Sequence, residues 1–457
     1  MENEKKSRLK KFTHGYIFKI LMLISLVLLL LIPLTMIRGL INDRNWTARS
    51  AEADIMEAWG SELIAAGPVI AIPGTRTEEV RTITERDGER VEIARRPFTL
   101  IIMPQKLDIG ADFTTEIRKR GIFSVPLFSG DLVVSGTFNP AHALASLLSN
   151  EEIFPNQAEL IIVLSNQKGI RRIDRAVWNG QDLFFQPGNQ GLNFTRTSSS
   201  GMHAALPDFA NAESSFDIAI AMQGGQLVSF LPAGQDTHAA VSTDWPSPSF
   251  QGAFLPGSST ITDSGFDAVW DISYLSRDIP LFWKADSGAG SRDYSGSFFG
   301  VNFFRTIDTY SLNTRAVKYA ILFIIVPFLT LFLLEVSAKI RIHPVPYLLS
   351  GIANVIFYLL LLSLSEQMQF YLAYLIAGAA VVVLLTLYSR SLLPSWNKSW
   401  YMGLVVLLSY TLLYAVLNAE SYALLIGSIG TFVVVALVMF VTRRLNWYGY
   451  EGDGSEG

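Results

Sequence analysis

The sequence contains no cysteine. That excludes a disulfide framework, a thiol nucleophile, a zinc knuckle and an iron–sulfur site. It does not choose a compartment, because disulfide-free domains occur on both sides of a bacterial membrane. Charge is also scarce. Only 17% of residues are charged and 50% are hydrophobic, where a soluble domain typically carries about 25% charged residues. Mean hydropathy is +0.32. A disordered chain is excluded and a wholly soluble one disfavoured. The 19 Pro and 34 Gly are too few for a low-complexity or collagen-like chain. A net charge of −4 speaks against nucleic acid as a partner. Phosphate-binding and catalytic signatures are missing too: no G-x-x-x-x-G-K-[ST], no strand-linked G-x-G-x-x-G, no G-x-S-x-G and no H-E-x-x-H. His142, His203 and His238 are too scattered for a metal site. No catalytic, metal-ligating or cofactor-binding residue is assigned, and no cofactor is expected.

What the chain does have is a set of long apolar runs. Ile20–Ile37 carries no charge and follows Lys5, Lys6, Arg8, Lys10, Lys11 and Lys19. It is long enough to span a bilayer, which takes about 17–25 residues. It ends without an Ala-x-Ala, so it reads as an uncleaved signal-anchor and not as a cleaved signal peptide. Five more runs lie near the C-terminus: Tyr319–Val336, Tyr347–Leu364, Phe370–Tyr388, Trp400–Leu417 and Tyr422–Val441. Pro327 marks a kink in the first of these. The expected fold class is an α+β membrane protein. It has six transmembrane helices, one N-terminal and five C-terminal, with a large, mainly β extracytoplasmic domain after the first.

Cations set the orientation. Of the 36 Lys and Arg, 24 lie in residues 38–318. The other 12 are the six named above plus Lys339, Arg341, Arg390, Lys398, Arg443 and Arg444. All 12 fall on one side of a six-span chain with both termini in the cytoplasm, while the opposite short loops carry Glu366 and Glu420. The reading is a basic cytoplasmic segment 1–19, a helix 20–37, an extracytoplasmic β-rich domain 38–318, a five-helix bundle 319–442 and a cytoplasmic tail 443–457. The lipid bilayer is one partner.

Within residues 38–318, Ile55, Met56, Trp59, Leu63 and Ile64 predict an amphipathic helix over Thr47–Ala66. Beyond Gly67-Pro68, short β-branched and aromatic runs predict strands at Val69–Ile72, Phe98–Met103, Phe123–Phe128, Leu132–Phe138 and Leu160–Leu164. Others follow at Phe216–Met222, Leu227–Leu231, Phe266–Tyr274 and Phe298–Phe304. Asn179-Gly180 and Gly224-Gly225 read as hairpin turns. Pro140–Leu148 reads as a short helix. The polar stretch Gln186–Leu206 is where a boundary between two lobes would fall.

Polar residues in the spans are the candidates for function. Glu335 sits at the end of the second span, near Lys339 and Arg341, where a bland pairing at the interface competes with a functional role. Asn354 is deeper, in the third span. His343 precedes that span. In the outer domain, Trp245 and Phe250 stand as either buried aromatics at a strand exit or the walls of a ligand groove.

Several strings of the chain stand out together: Trp245-Pro-Ser-Pro-Ser-Phe-Gln-Gly-Ala-Phe-Leu-Pro256, Ser264-Gly-Phe-Asp-Ala-Val-Trp270, Asp308-Thr-Tyr310, and Arg315-Ala-Val-Lys-Tyr-Ala-Ile-Leu322. To these add His343-Pro-Val-Pro-Tyr-Leu-Leu-Ser-Gly351, Leu362-Ser-Leu-Ser-Glu366, Ala423-Leu-Leu425 and Thr442-Arg-Arg-Leu-Asn-Trp-Tyr448. As a set they resemble the CreD family of bacterial inner-membrane, cell-envelope-integrity proteins, over nearly the whole chain. Pro346 replaces the family's usual Gln, and Asn446 its usual Asp. The resemblance implies a location in the bacterial inner membrane, with residues 38–318 in the periplasm. It also implies a role in envelope integrity, in envelope stress and in the response to β-lactams, with no catalytic residues to carry over. The expectation is a non-enzymatic protein whose outer domain binds an envelope protein or a cell-wall-derived ligand. The rival is a membrane-embedded enzyme or transporter acting on a lipid or cell-wall intermediate, using Glu335, Asn354 and His343. A receptor relaying a signal through a partner is a third reading.

Overall fold

The computed structural model describes residues 16–443 apart from 85–87, 196–199, 208, 210–211, 287–291, 304–308, 339, 394 and 420–421. Most of the basic N-terminus, Lys339, Glu420 and the tail with Asn446 therefore lie outside the described residues. The chain divides into two compact units, Arg49–Thr306 and the pair of segments Met1–Ala48 and Ile307–Gly457.

Helix α1 (Tyr16–Trp59) is one continuous helix of 44 residues. At 1.5 Å per residue it is about 66 Å long, twice the hydrocarbon thickness of a bilayer. The expected amphipathic helix is thus its continuation and stops at Trp59, seven residues early. Gly60 and Ser61 both take positive φ (145° and 52°), and their N–H groups both donate to the Met56 carbonyl. A Cβ at Gly60 would also meet the Gln223 carbonyl at 2.9 Å. The chain leaves the helix there, and Leu63–Ala65 pairs in parallel with Val228–Phe230.

The strands of this unit are β1 (Leu63–Thr84), β2 (Gly88–Ile102), β3 (Lys106–Arg120) and β4 (Phe123–Phe138), followed by helix α2 (Ala141–Ala145). Next come β5 (Glu151–Ile153), β6 (Glu159–Leu164), β7 (Ile170–Trp178), β8 (Gln181–Asp182), β9 (Gln186–Pro187) and β10 (Ser200–Ala205). The rest are β11 (Ser214–Gly225), β12 (Leu227–Phe230), β13 (Asp236–Thr243), β14 (Pro248–Gly252), β15 (Ser258–Thr262), β16 (Gly265–Ser273), β17 (Phe282–Asp286) and β18 (Phe299–Phe303). One sheet runs β14-β18-β12-β1-β6-β10-β9, with β2 and β5 also on β1 and β17 on β2. The other runs β15-β16-β13-β3-β4-β11-β7-β8. Pairing is antiparallel except β1 with β12 and β3 with β13.

The two sheets share one core. Burial alternates along β3, β11 and β16, as expected of strands with one face inward. Aromatic rings bridge the layers: Phe128 of β4 lies 5.2 Å from Phe303 of β18, and Trp270 of β16 lies 5.5 Å from Phe299. Asn179-Gly180 does turn the β7–β8 hairpin, with φ of 48° and 83°. Gly224-Gly225 does not turn a hairpin. Gln226 takes φ 67° and hands the chain from one sheet to the other. Nor does a lobe boundary fall at Gln186–Leu206. That stretch adds β9 and β10 to the first sheet and puts Leu192, Phe194 and Met202 into the common core.

The second unit holds the start of α1 with α3 (Thr309–Lys318), α4 (Ala320–Ala338), α5 (Pro344–Ser365), α6 (Phe370–Leu392), α7 (Trp396–Asn418) and α8 (Ala423–Thr442). Among the described residues, α1, α4, α5, α6 and α7 are long and apolar enough to cross a membrane, five where the sequence predicts six. The sixth run forms α8, 20 residues without a charge. Leu30, Leu34, Ile37 and Ile41 of α1 make a helical stripe into the bundle core. Gly351 of α5 faces it: a Cβ there would collide with Leu30 Cδ1. Small residues permit this close approach of helices in lipid.

Candidate functional site

The polar groups of the bundle collect at three levels. At the start of α1 and the end of α4, Lys19 Nζ donates to Glu335 Oε1 and, at 3.0 Å, to the Ile342 carbonyl. Tyr347 O–H donates to Glu335 Oε2 at 2.6 Å, and Lys19 Nζ stands 5.3 Å over the Tyr347 ring. Glu335 is only 6% exposed. Both its oxygens are engaged, as a charge held away from water requires. His343 accepts from Val345 N–H at 3.4 Å and caps α5, with Pro344 at the first helical position.

Asn354 lies seven residues beyond Tyr347 along α5, about 10 Å deeper. Its amide donates to the Ser350 carbonyl at 2.8 Å and accepts from Tyr410 O–H at 2.9 Å. Tyr374 O–H in turn donates to the Tyr410 carbonyl at 2.6 Å. One polar thread therefore stitches α5, α6 and α7 together. The hydroxyl of Tyr358 is buried nearby and has no hydrogen-bond partner among the described residues. At the opposite end, Glu366 takes Tyr310 O–H at 3.2 Å and lies 3.7 Å from Arg44, and Asn313 donates to Ser365 at 2.9 Å. The structure therefore splits the three bundle candidates. Glu335 and His343 border one cluster and Asn354 belongs to another. In the sequence Lys19 stands only as one of the cations before the first run and Tyr347 only as an aromatic at a span end, and Tyr374 and Tyr410 carry no mark. Tyr410, well inside α7 and away from the interface that tyrosines favour, was the available signal.

In the other unit, Trp245 donates its Nε1–H to the Ser247 carbonyl at 3.0 Å and meets Phe303 edge-on at 6.4 Å. Phe250 sits edge-on to Phe266 and Trp270, at 5.6 and 5.8 Å. Both rings pack against the core. A groove of about 410 Å³ lies instead on β3, β4, β13 and β16, lined by Gly110, Ala240, Asp112, Asp131 and Asp267. Among the described residues no cluster of His, Cys, Asp and Glu could hold a metal ion.

Two buried charges here carry no sequence signal. Glu151 has a side chain with 0% exposure and accepts from Arg76, Lys284 and Leu148 N–H. Burial alone would raise its pKa. The Leu148 N–H and the two cations overcome that and hold it at about 2. Arg277 is 9% exposed and gives three hydrogen bonds to backbone carbonyls, those of Ile279, Ala233 and Gly234. Burial lowers it to about 10, with Tyr294 opposing, so it stays charged at neutral pH.

Comparison with known proteins agrees with the membrane architecture. A family profile described as "Inner membrane protein CreD" matches residues 15–448. The protein "Inner membrane protein CreD" of Escherichia coli (strain K12) is 32% identical over 435 residues, 95% of this chain and 94% of that one. Two solved structures of an M1 zinc metallopeptidase from Deinococcus radiodurans overlap 38% of this chain. They cover 39% and 38% of their own chains, at 11% and 12% identity and TM-scores of 0.21 and 0.20. Such scores identify no common fold. The chain belongs to the CreD family of inner membrane proteins, and its apolar helices place it in a lipid bilayer.

Proposed function

We propose that this CreD-family protein is a non-enzymatic support of the cell envelope. Both termini are cytoplasmic, and the β-rich region, residues 38–318, stands in the periplasm. There it binds an envelope component, a protein or a cell-wall-derived ligand, as part of the response to envelope stress and β-lactams. The observation that carries this reading is the division of the chain. Arg49–Thr306 has a core of its own, large enough to form a binding domain. The bundle's ionisable and amide groups, by contrast, are engaged with one another: both oxygens of Glu335 and both ends of the Asn354 amide have partners inside the bundle. This supports anchorage over the catalytic or transport reading.

Orientation is testable because the natural chain lacks cysteine. A single Ser259→Cys in β15 is expected to react with a membrane-impermeant thiol reagent on spheroplasts. Ser391→Cys, at the end of α6, is expected to react only after permeabilisation. The reverse pattern overturns the orientation. Function is tested by complementing a deletion strain under detergent and β-lactam stress with the full chain or with residues 1–318, both shown to accumulate. Resistance restored by the shorter form supports the outer domain as the active part. If it accumulates and fails while Glu335→Gln in the full chain also fails at normal level, the bundle performs the function and the proposal falls.

A further inference from the structure

Seven buried side-chain polar atoms among the described residues have no hydrogen-bond partner, and three of them are donors in one region: Arg277 Nε–H, Trp283 Nε1–H and Tyr294 O–H. Native proteins rarely leave such groups unmet, and a cluster of them calls for an occupant. Arg277 is 9% exposed and Trp283 6%. The Trp283 and Tyr294 rings stand edge-on at 6.4 Å, and Phe194 lies 6.3 and 6.2 Å from each. Tyr294 is within electrostatic reach of Arg277. The segment is pinned in place by Tyr294 N–H to the Phe194 carbonyl and Arg292 N–H to the Asn193 carbonyl, at 2.9 and 3.0 Å. A second guanidinium, Arg292, sits 5.4 Å over the Trp283 ring.

Among the described residues no carboxylate pairs with Arg277. Its other contacts are neutral carbonyls, which leave its charge uncompensated. We propose that Arg277, Trp283 and Tyr294 form a binding site for a carboxylate group at the end of a short ligand. This rests on the reading that the β-rich unit binds an envelope component, and it names the chemistry of that component. A carboxylate is acceptor-only and offers about four lone-pair positions, enough for three donors. Its single charge matches the one buried cation, whereas a phosphate near −2 does not. The aromatic walls favour an organic body over a free ion.

The test uses the full chain in detergent micelles, titrated calorimetrically with N-acetyl-alanyl-alanine, its C-terminal amide and inorganic phosphate. The acid is expected to bind. The amide and phosphate are expected to bind at least about 10-fold more weakly, the scale of a hydrogen bond to a charged group. Tyr294→Phe keeps the ring and removes one donor. It is expected to weaken the acid by about 10-fold while its thermal midpoint stays at or above that of the natural chain. Trp283→Phe supplies a second conservative variant with the same expectation. Equal binding of acid and amide, stronger binding of phosphate, no binding of the acid at millimolar concentration, or an unchanged Tyr294→Phe would each overturn the site. The wider reading fails separately, in the complementation experiment, whatever the titration gives.

Discussion

Glu151 offers the sharpest quantitative test of the β-rich unit. Its carboxylate is closed off from water and takes Arg76 Nε at 2.9 Å, Arg76 Nη2 at 2.8 Å, the Lys284 ammonium and Leu148 N–H. Together these tie the segment after α2 to β1 and β17. The folded pKa is about 2 against a reference of 4.5. At about 1.4 kcal/mol per unit that is at most roughly 3 kcal/mol. Arg76 and Lys284 are 27% and 20% exposed, so solvent screens them in part and about 2 kcal/mol is the better expectation. The pKa is depressed on folding, so the stabilisation is complete above pH 4.5 and is lost as pH falls towards 2. About two-fifths of it survives at pH 3. Glu151→Gln removes the charge and keeps the shape. Thermal or denaturant unfolding of the full chain should show a deficit of about 2 kcal/mol at pH 7 that shrinks below about 1 kcal/mol at pH 3. Other carboxylates titrate equally in both proteins and cancel. A deficit of the same size at both pH values would refute the electrostatic account and leave only a packing role.

The bundle gives further expectations. Glu335→Gln strands Lys19 in a poorly hydrated place and should cost about 3 kcal/mol in bundle stability. Lys19→Met with Glu335→Leu should recover most of it, measured by accumulation and by resistance to unfolding in mild detergent; a double variant worse than the single one would contradict a structural pair. Gly351→Leu should destabilise by at least about 2 kcal/mol through collision with Leu30, and Leu30→Ala should rescue it; no rescue in a thermal-shift assay would disprove the close helix approach. Tyr410→Phe removes the bond to Asn354 and should cost about 1 kcal/mol in the same assay.

How much of this was legible beforehand depended on which physical signal each residue leaves in the sequence. The spans announce themselves because lipid demands unbroken apolar length, and apart from Tyr319 and Tyr422, each one residue outside, the apolar runs fall within α1 and α4–α8. The central strands were found where bulky runs made them obvious. β3 was missed because its inward set, Leu107, Ile109, Ala111 and Phe113, alternates with charged and polar residues and never forms a run. β13 hid for a similar reason: its buried Thr237, Ala239, Val241 and Thr243 are small or polar. Their alternation was the signal to count. The polar sites were far less visible. Lys19 finds Glu335 across 316 positions, and Glu151 finds Lys284 across 133. No local pattern encodes such partners, because the register of a sheet and the stacking of a bundle bring them together. Arg277 is the extreme case. In sequence it is one cation among the 24 of residues 38–318. Only the fold makes it informative, by burying it against carbonyls in the region of two aromatic donors that have no acceptor among the described residues. For the same reason Trp245 and Phe250, conspicuous in sequence, turn out to be held by their neighbours, while the groups with unused bonding capacity are inconspicuous ones. A search for ligands of this protein should therefore start from unmet donors inside the β-rich unit and not from its most recognisable string.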